Sequence, residues 1–263
     1  MTEAAEVPVT QIDVNADLGE GFGRWSLGDD EALLDVITSA NVACGFHAGD
    51  PTIMRRVCRQ ARERGVVIGA QVSYRDLAGF GRRPMSMPRA ELTNEIVYQI
   101  GGLQACARAE GTEVRYVKPH GALNNVACVD LEQSAAIVDA VLAVDPTLAL
   151  LVLPGSQLEV QARTAGLHTV GEAFPDRAYE PDGQLRNRSL PDAVLHDVDE
   201  ITRRAVGIAC DRAVETSAGA ILSLTAQSLC LHGDNEAAVQ AARSVVRALR
   251  EAGVQVSPFV RSQ

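Results

Sequence analysis

Lysine is almost missing from this chain: Lys118 stands alone beside 23 arginines. Arginine therefore meets the general need for positive charge, and a position that keeps lysine calls for a compact amine that a planar guanidinium cannot imitate. The same scarcity removes the Gly-Lys pair of a Walker A phosphate loop, which occurs nowhere in the sequence. Positive charge is short overall, with 24 Lys+Arg against 34 Asp+Glu and a net charge of −10. Such a surface repels phosphate backbones and argues against nucleic-acid binding. The six cysteines lie at 44, 58, 106, 128, 210 and 230, and no two are closer than 14 residues. That spacing excludes a CxxC motif and a zinc ribbon. Apolar runs such as 148–153 are far too short to span a bilayer. The opening MTEAAEVPVTQ has no apolar core and does not read as a signal peptide. Low-complexity tracts, linkers and repeats are missing too. A reduced, cytoplasmic protein with a single domain over 1–263 is expected, bound neither to nucleic acid nor to membrane.

What is present suits one α/β barrel: 263 residues, 46% hydrophobic and 22% charged. Seven strand-like segments recur along the chain, at 11–16, 39–44, 65–70, 113–117, 149–153, 167–171 and 227–231. Helical patterns separate them, which predicts parallel βαβ units with strands buried on both faces. The helices are well punctuated. Asp50 precedes Pro51, and Gly65 marks the stop of that helix. Pro88 opens a long helix that Gly111 closes. Asp130 with Gln133, and Ser156 with Glu159, have the spacing of capping boxes. A helix is expected from Asp199 to about Ser217, and Asp234 caps the last one. The polar stretch 174–189 reads as a long loop over the barrel mouth.

Chemistry-bearing residues gather where these strands end. They are Asn15, Asp17 and Glu20 after the first strand, then His47 and Asp50 after the second. Gln71, Ser73, Tyr74 and Asp76 follow the third, and Lys118 and His120 the fourth. Glu172, Asp176 and Arg177 follow the sixth, and His232 and Asp234 the seventh. In a parallel barrel these ends converge on one mouth. His168 and His196 lie away from such junctions and read as structural or exposed. The glycine-rich 19–24 lacks the third glycine of a dinucleotide loop, because position 24 is Arg24. Gly79 to Arg83 offers backbone N–H groups beside Arg82 and Arg83. That is either a cradle for a carboxylate or phosphate, or a tight turn with surface arginines. Asp17, His47 and His120 form a candidate facial set for a divalent metal, and acid–base use without metal is equally compatible. Cys44 is read as a buried structural thiol.

The segments VNADLGEGFG at 14–23, SANVACGFHAGDP at 39–51, DLAGFGRR at 76–83, VKPHGAL at 117–123 and LCLHGD at 229–234 run in order over nearly the whole chain. Together they resemble the LamB/YcsF family. The resemblance implies an irregular seven-stranded (β/α) barrel similar to glycoside hydrolase and deacetylase barrels, in agreement with the seven strands counted above. It implies cleavage of 5-oxo-L-proline to L-glutamate, coupled to hydrolysis of ATP to ADP and phosphate, by an enzyme that also needs partner subunits B and C. Carried over by position, the catalytic residues are Asp17, His47, Lys118, His120, His232 and Asp234; the reading of the strand ends and of the arginine turn adds Asn15, Glu20, Arg82, Arg83, Glu172 and Arg177 as candidates around the substrate. Two positions depart from the family pattern: Gln71 stands where a histidine is frequent, and Asn124 where a tyrosine is usual. Two other readings stand beside this one. The chain could be a stand-alone metal-dependent amidohydrolase or deacetylase, or a non-catalytic subunit that holds the substrate. The density of ionisable groups argues against the last, because binding pockets are mostly apolar.

Overall fold

The computed structural model describes residues 10–231 and 236–260. The chain runs β1 (Gln11–Leu18), α1 (Asp30–Leu34), β2 (Ser39–Ala43), α2 (Pro51–Arg64), β3 (Val67–Val72), α3 (Arg89–Ala109), β4 (Val114–Pro119), α4 (Gly121–Ala127) and α5 (Leu131–Val144). It continues with β5 (Ala149–Val152), α6 (Gln157–Thr164), β6 (Thr169–Ala173), α7 (Val198–Asp211), β7 (Ala213–Glu215), β8 (Ile221–Ser223), β9 (Ser228–Leu231), α8 (Glu236–Glu251) and β10 (Gln255–Val256). Strands β1 to β6 pair in parallel in sequence order, β9 follows β6, and β9 pairs back onto β1. Seven parallel strands therefore close a barrel, the architecture expected from the seven segments. The short β10 adds to the start of β1, and β7 and β8 form a separate antiparallel hairpin.

Alternation along the strands divides the molecule into two environments. On β1, Ile12, Val14, Ala16 and Leu18 belong to the main apolar core, and the intervening Asp13, Asn15 and Asp17 are also buried. A strand with period two must send these two sets to opposite faces. The apolar set packs beneath the helices and the polar set fills the barrel. The barrel floor is the exception, where Val67, Tyr116, Ala149, Leu151 and Val170 pack with Phe259 and Val260. Tyr116 and Phe259 meet edge to face, 5.1 Å between ring centres. Gly69 makes room for this tyrosine, since a Cβ there would lie 2.0 Å from its ring.

Local signals explain most boundaries. Asp50 accepts hydrogen bonds from the N–H groups of Thr52 and Ile53, and left-handed Gly65 ends α2. Asp130 and Ser156 cap α5 and α6 as expected, but neither capping box closes. Gln133 instead accepts from the Tyr74 hydroxyl at 3.0 Å, and Glu159 accepts from Gly155 N–H. The helix expected to reach about Ser217 stops at Asp211. Its stop is Arg212 in the left-handed region, φ 53°, so no glycine announced it. The hairpin of β7 and β8 follows immediately. The expected long loop runs from Phe174 to Asp197, stitched by antiparallel bridges Arg177–Val194 and Tyr179–Leu185.

Candidate active site

Two layers of polar side chains occupy the C-terminal mouth of the barrel. The lower layer is built on Lys118, buried at the end of β4. Its ammonium donates to Glu172 Oε1 at 2.7 Å and to Asn15 Oδ1 at 3.3 Å, and contacts Cys230 Sγ at 2.8 Å. Asp17 Oδ1 lies 3.3 Å away. Asn41 ties the carboxylate to the amide, donating to Asp17 at 2.9 Å and to Asn15 at 2.7 Å. Asn15 in turn donates to Glu172 and Ser228. The Phe174 ring covers the ammonium at 5.3 Å. Burial works against the Lys118 charge, but Asp17 and Glu172 outweigh it and hold the pKa above the ordinary lysine value. Lys118 is an ammonium ion at neutral pH. Burial raises the Glu172 pKa, and Lys118 pulls it partly back.

Beneath this layer, Asp13 accepts from Thr38, Ser39 and Ser228 hydroxyls. Its burial lifts the pKa to about 6.

The upper layer is built on loops. His47, in the β2–α2 loop, and His120, just after β4, stack with ring centres 4.2 Å apart. Their Nε2 atoms lie 3.9 and 3.8 Å from Glu20 Oε1. Gln71, at the end of β3, joins the set: its amide donates to Glu20 at 3.2 Å, and its Oε1 lies 3.3 Å from His47 Nε2. Phe80 stands edge-on to both imidazoles, with the Arg82 guanidinium 5.0 Å from the phenyl centre. Left-handed Gly81 allows this loop to sit so close, because a Cβ there would press on Ser73 Oγ at 2.4 Å and His47 Cβ at 2.9 Å. Burial pushes the His47 pKa down to about 4. Burial, then neighbouring His47, takes His120 well below the ordinary range. Both rings are neutral, which permits their face-to-face contact. Nδ1 of each is buried without a hydrogen-bond partner among the described residues.

The structure places several of the expected site residues in different company. Asp17 faces Lys118, and the carboxylate that meets the two imidazoles is Glu20: ligand atoms of Glu20, His47 and His120 lie within 4.8 Å of one another. The expected trio of Asp17, His47 and His120 thus exchanges its carboxylate. Residues 79–83 form a tight turn and not an anion cradle. Gly79 and Arg83 N–H groups bind the Asp76 carboxylate, and those of Phe80, Gly81 and Arg82 bind carbonyls within the turn. The Arg83 guanidinium turns back onto Asp76. Arg177 is buried and donates to the carbonyls of Ala193 and Arg186, which organises the long loop. Asp50 is a helix cap, and His168 and His196 are exposed. Cys44 is buried. Asn124 is buried in α4. His232 and Asp234 lie outside the described residues.

Sequence reasoning passed over Asn41, Ser228 and Cys230. Asn41 carried a signal, since Ser39 and Asn41 alternate with Ala40 and Val42 just as Asn15 and Asp17 alternate on β1. Cys230 carried none, because an apolar strand residue and a lysine contact look alike in sequence.

Residues 12–263 match the profile described as the LamB/YcsF family. The chain belongs to the LamB/YcsF family. A Streptomyces griseus relative, named as the A component of 5-oxoprolinase, is 58% identical over 248 residues, spanning 94% of this chain and 99% of that protein. A Mycolicibacterium gilvum protein of the same name is 53% identical over 251 residues, spanning 95% and 100%. The crystal structure of a lactam utilization protein from Thermus thermophilus superposes with a TM-score of 0.90 at 44% identity, over 95% of this chain and 100% of that one. A protein from Enterococcus faecalis, 12% identical with a TM-score of 0.57 over 95% and 98%, shares the fold alone. Among the described residues of this LamB/YcsF barrel, no helix is long and apolar enough to cross a membrane.

Proposed function

We propose that this chain is the A component of a multi-subunit 5-oxoprolinase and that its barrel mouth opens the lactam ring. The carrying observation is Lys118, a buried ammonium fixed between Asp17 and Glu172 at the strand ends. The full-length relatives that share the name supply the substrate class.

A five-membered lactam is an unstrained amide with a poor leaving group, so opening it needs activation. ATP supplies that as co-substrate of the assembly with subunits B and C, by phosphorylating the amide oxygen. The whole reaction is 5-oxo-L-proline + ATP + 2 H₂O → L-glutamate + ADP + phosphate. In the mouth, the Lys118 ammonium stabilises negative charge developing on the activated carbonyl or phosphoryl oxygen. It is already in place and desolvated, which makes it effective. Asp17 takes the proton of the attacking water. The departing ring nitrogen takes a proton from His232 as an imidazolium, or from Asp17 once it holds the proton of the water; neutral His120 could give one only by becoming an imidazolate. Arg82, rather than Arg83, receives the substrate carboxylate, since Arg83 is committed to Asp76.

The test is glutamate release from 5-oxoproline, with and without ATP, by the chain alone and by the chain with subunits B and C. Release only with ATP and both partners is expected. The cluster of Glu20, His47 and His120 supports a second reading, a stand-alone metal-dependent amidohydrolase. Partner-independent hydrolysis of an N-acyl substrate without ATP would replace the first reading with this one.

A further inference from the structure

We infer that Glu20, His47 and His120 form a binding site for a divalent first-row transition-metal ion, separate from the Lys118 layer. The inference does not rest on the proposed ring opening, because occupancy can be read without substrate, ATP or partners.

Three observations carry it. The three side chains bring one carboxylate and two imidazoles within 4.8 Å of one another, and all three are buried. Two nitrogens and one carboxylate oxygen form a borderline donor set of the kind zinc, cobalt, iron and manganese accept. With Nε2 turned to the ion, each ring keeps its proton on Nδ1, which has no hydrogen-bond partner among the described residues.

The dimensions are close to those required. In a tetrahedral site with bonds of about 2.1 Å, ligand atoms stand roughly 3.4 Å apart. The separations of Glu20 Oε1 from the two Nε2 atoms, 3.9 and 3.8 Å, exceed this by about half an ångström. The rings are nearly parallel, 21° between planes, so one ring must also turn for both to face one ion. Nor does Lys118 repel a cation unopposed, because Asp17 and Glu172 adjoin its ammonium. Three protein donors, rather than four, is the count of a site that admits a further ligand. Gln71 contacts the same Glu20 Oε1 and His47 Nε2 atoms, so its amide must release them when an ion binds.

The experiment is titration of the untagged full chain with cobalt(II) chloride, followed by its visible ligand-field absorption, then competition with zinc. The expected result is saturable absorption at one ion per chain, displaced by zinc. Glu20→Gln and His120→Asn should each weaken cobalt binding by more than the roughly 100-fold that loss of a supporting residue can cost. Asp17→Asn should leave it within about tenfold, below that same range. Gln71→His adds an imidazole beside the cluster and should tighten zinc binding by about tenfold or more, on the scale of such neighbouring groups. This gain does not depend on a ligand-deletion variant folding; circular dichroism confirms the fold of the others. Absence of saturable absorption in the wild-type chain would overturn the inference. So would loss of binding in Asp17→Asn with retention in Glu20→Gln.

Discussion

Lys118 and His120 stand two residues apart at the end of one strand, yet they are held on opposite terms. The ammonium meets Glu172, Asp17, Asn15 and Cys230, groups drawn from β1, β6 and β9. The imidazole meets a second imidazole, a phenyl edge and a carboxylate at 3.8 Å, and its Nδ1 meets no hydrogen-bond partner among the described residues. The lower layer hangs on strands and the upper one mainly on loops. A buried charge must be answered on every side, so the lower layer is bound into the fold. A neutral ring tolerates an unfinished hydrogen-bond set at modest cost, so the upper layer keeps capacity for something else. Stability and ligand capture should therefore separate between residues that are neighbours in sequence.

The largest expected effect belongs to Lys118→Met. It leaves two buried carboxylates facing each other and should cost about 3–5 kcal/mol, as breaking a buried ion pair does. Urea unfolding reads this cost, and glutamate release by the assembly should fall by about 10³-fold with the charge stabiliser gone. Wild-type turnover in that variant would remove Lys118 from the chemistry.

Next comes the pH dependence beneath the lysine layer. Asp13 binds its proton more tightly folded than unfolded, with a pKa moved from 3.8 to about 6. Its contribution to stability is thus complete below about pH 4 and lost as pH rises towards 6, by about 3 kcal/mol at 1.36 kcal/mol per unit. Asp13→Asn should flatten that part of the stability curve. An unchanged slope would show that Asp13 is ionised throughout.

His120→Asn should change folding stability by no more than about 1 kcal/mol, since the ring's polar atoms are poorly bonded. A loss as large as that of Lys118→Met would break the contrast between the layers. The smallest effect is expected for Arg83→Ala, an exposed arm on Asp76. The KM for 5-oxoproline should not change, whereas Arg82→Ala should raise it. The reverse pattern would return the carboxylate contact to Arg83.

The sequence showed the barrel clearly because alternation and capping are local. All seven barrel strands overlap the segments that apolar patterning singled out, and the N-caps Asp50, Asp130 and Ser156 act as their residue types suggest. Lys118 stood out through scarcity of its kind. Pairings between strands were not legible, since they depend on register. Whether Asp17 or Glu20 reaches the imidazoles turns on three residues of loop. Whether Arg82 or Arg83 faces the mouth turns on one left-handed glycine. The end of α7 was hidden for a related reason, because an arginine took the backbone position where glycine is expected.

The lone buried lysine has one more consequence. A chain grown on lysine labelled with nitrogen-15 at Nζ gives a single ammonium nitrogen resonance, and that resonance originates in the proposed catalytic layer. Substrate, nucleotide and partner subunits can each be added in turn while one signal, which has only one residue to come from, is watched. The protein carries its own spectroscopic reporter, with no engineered probe and no overlapping background.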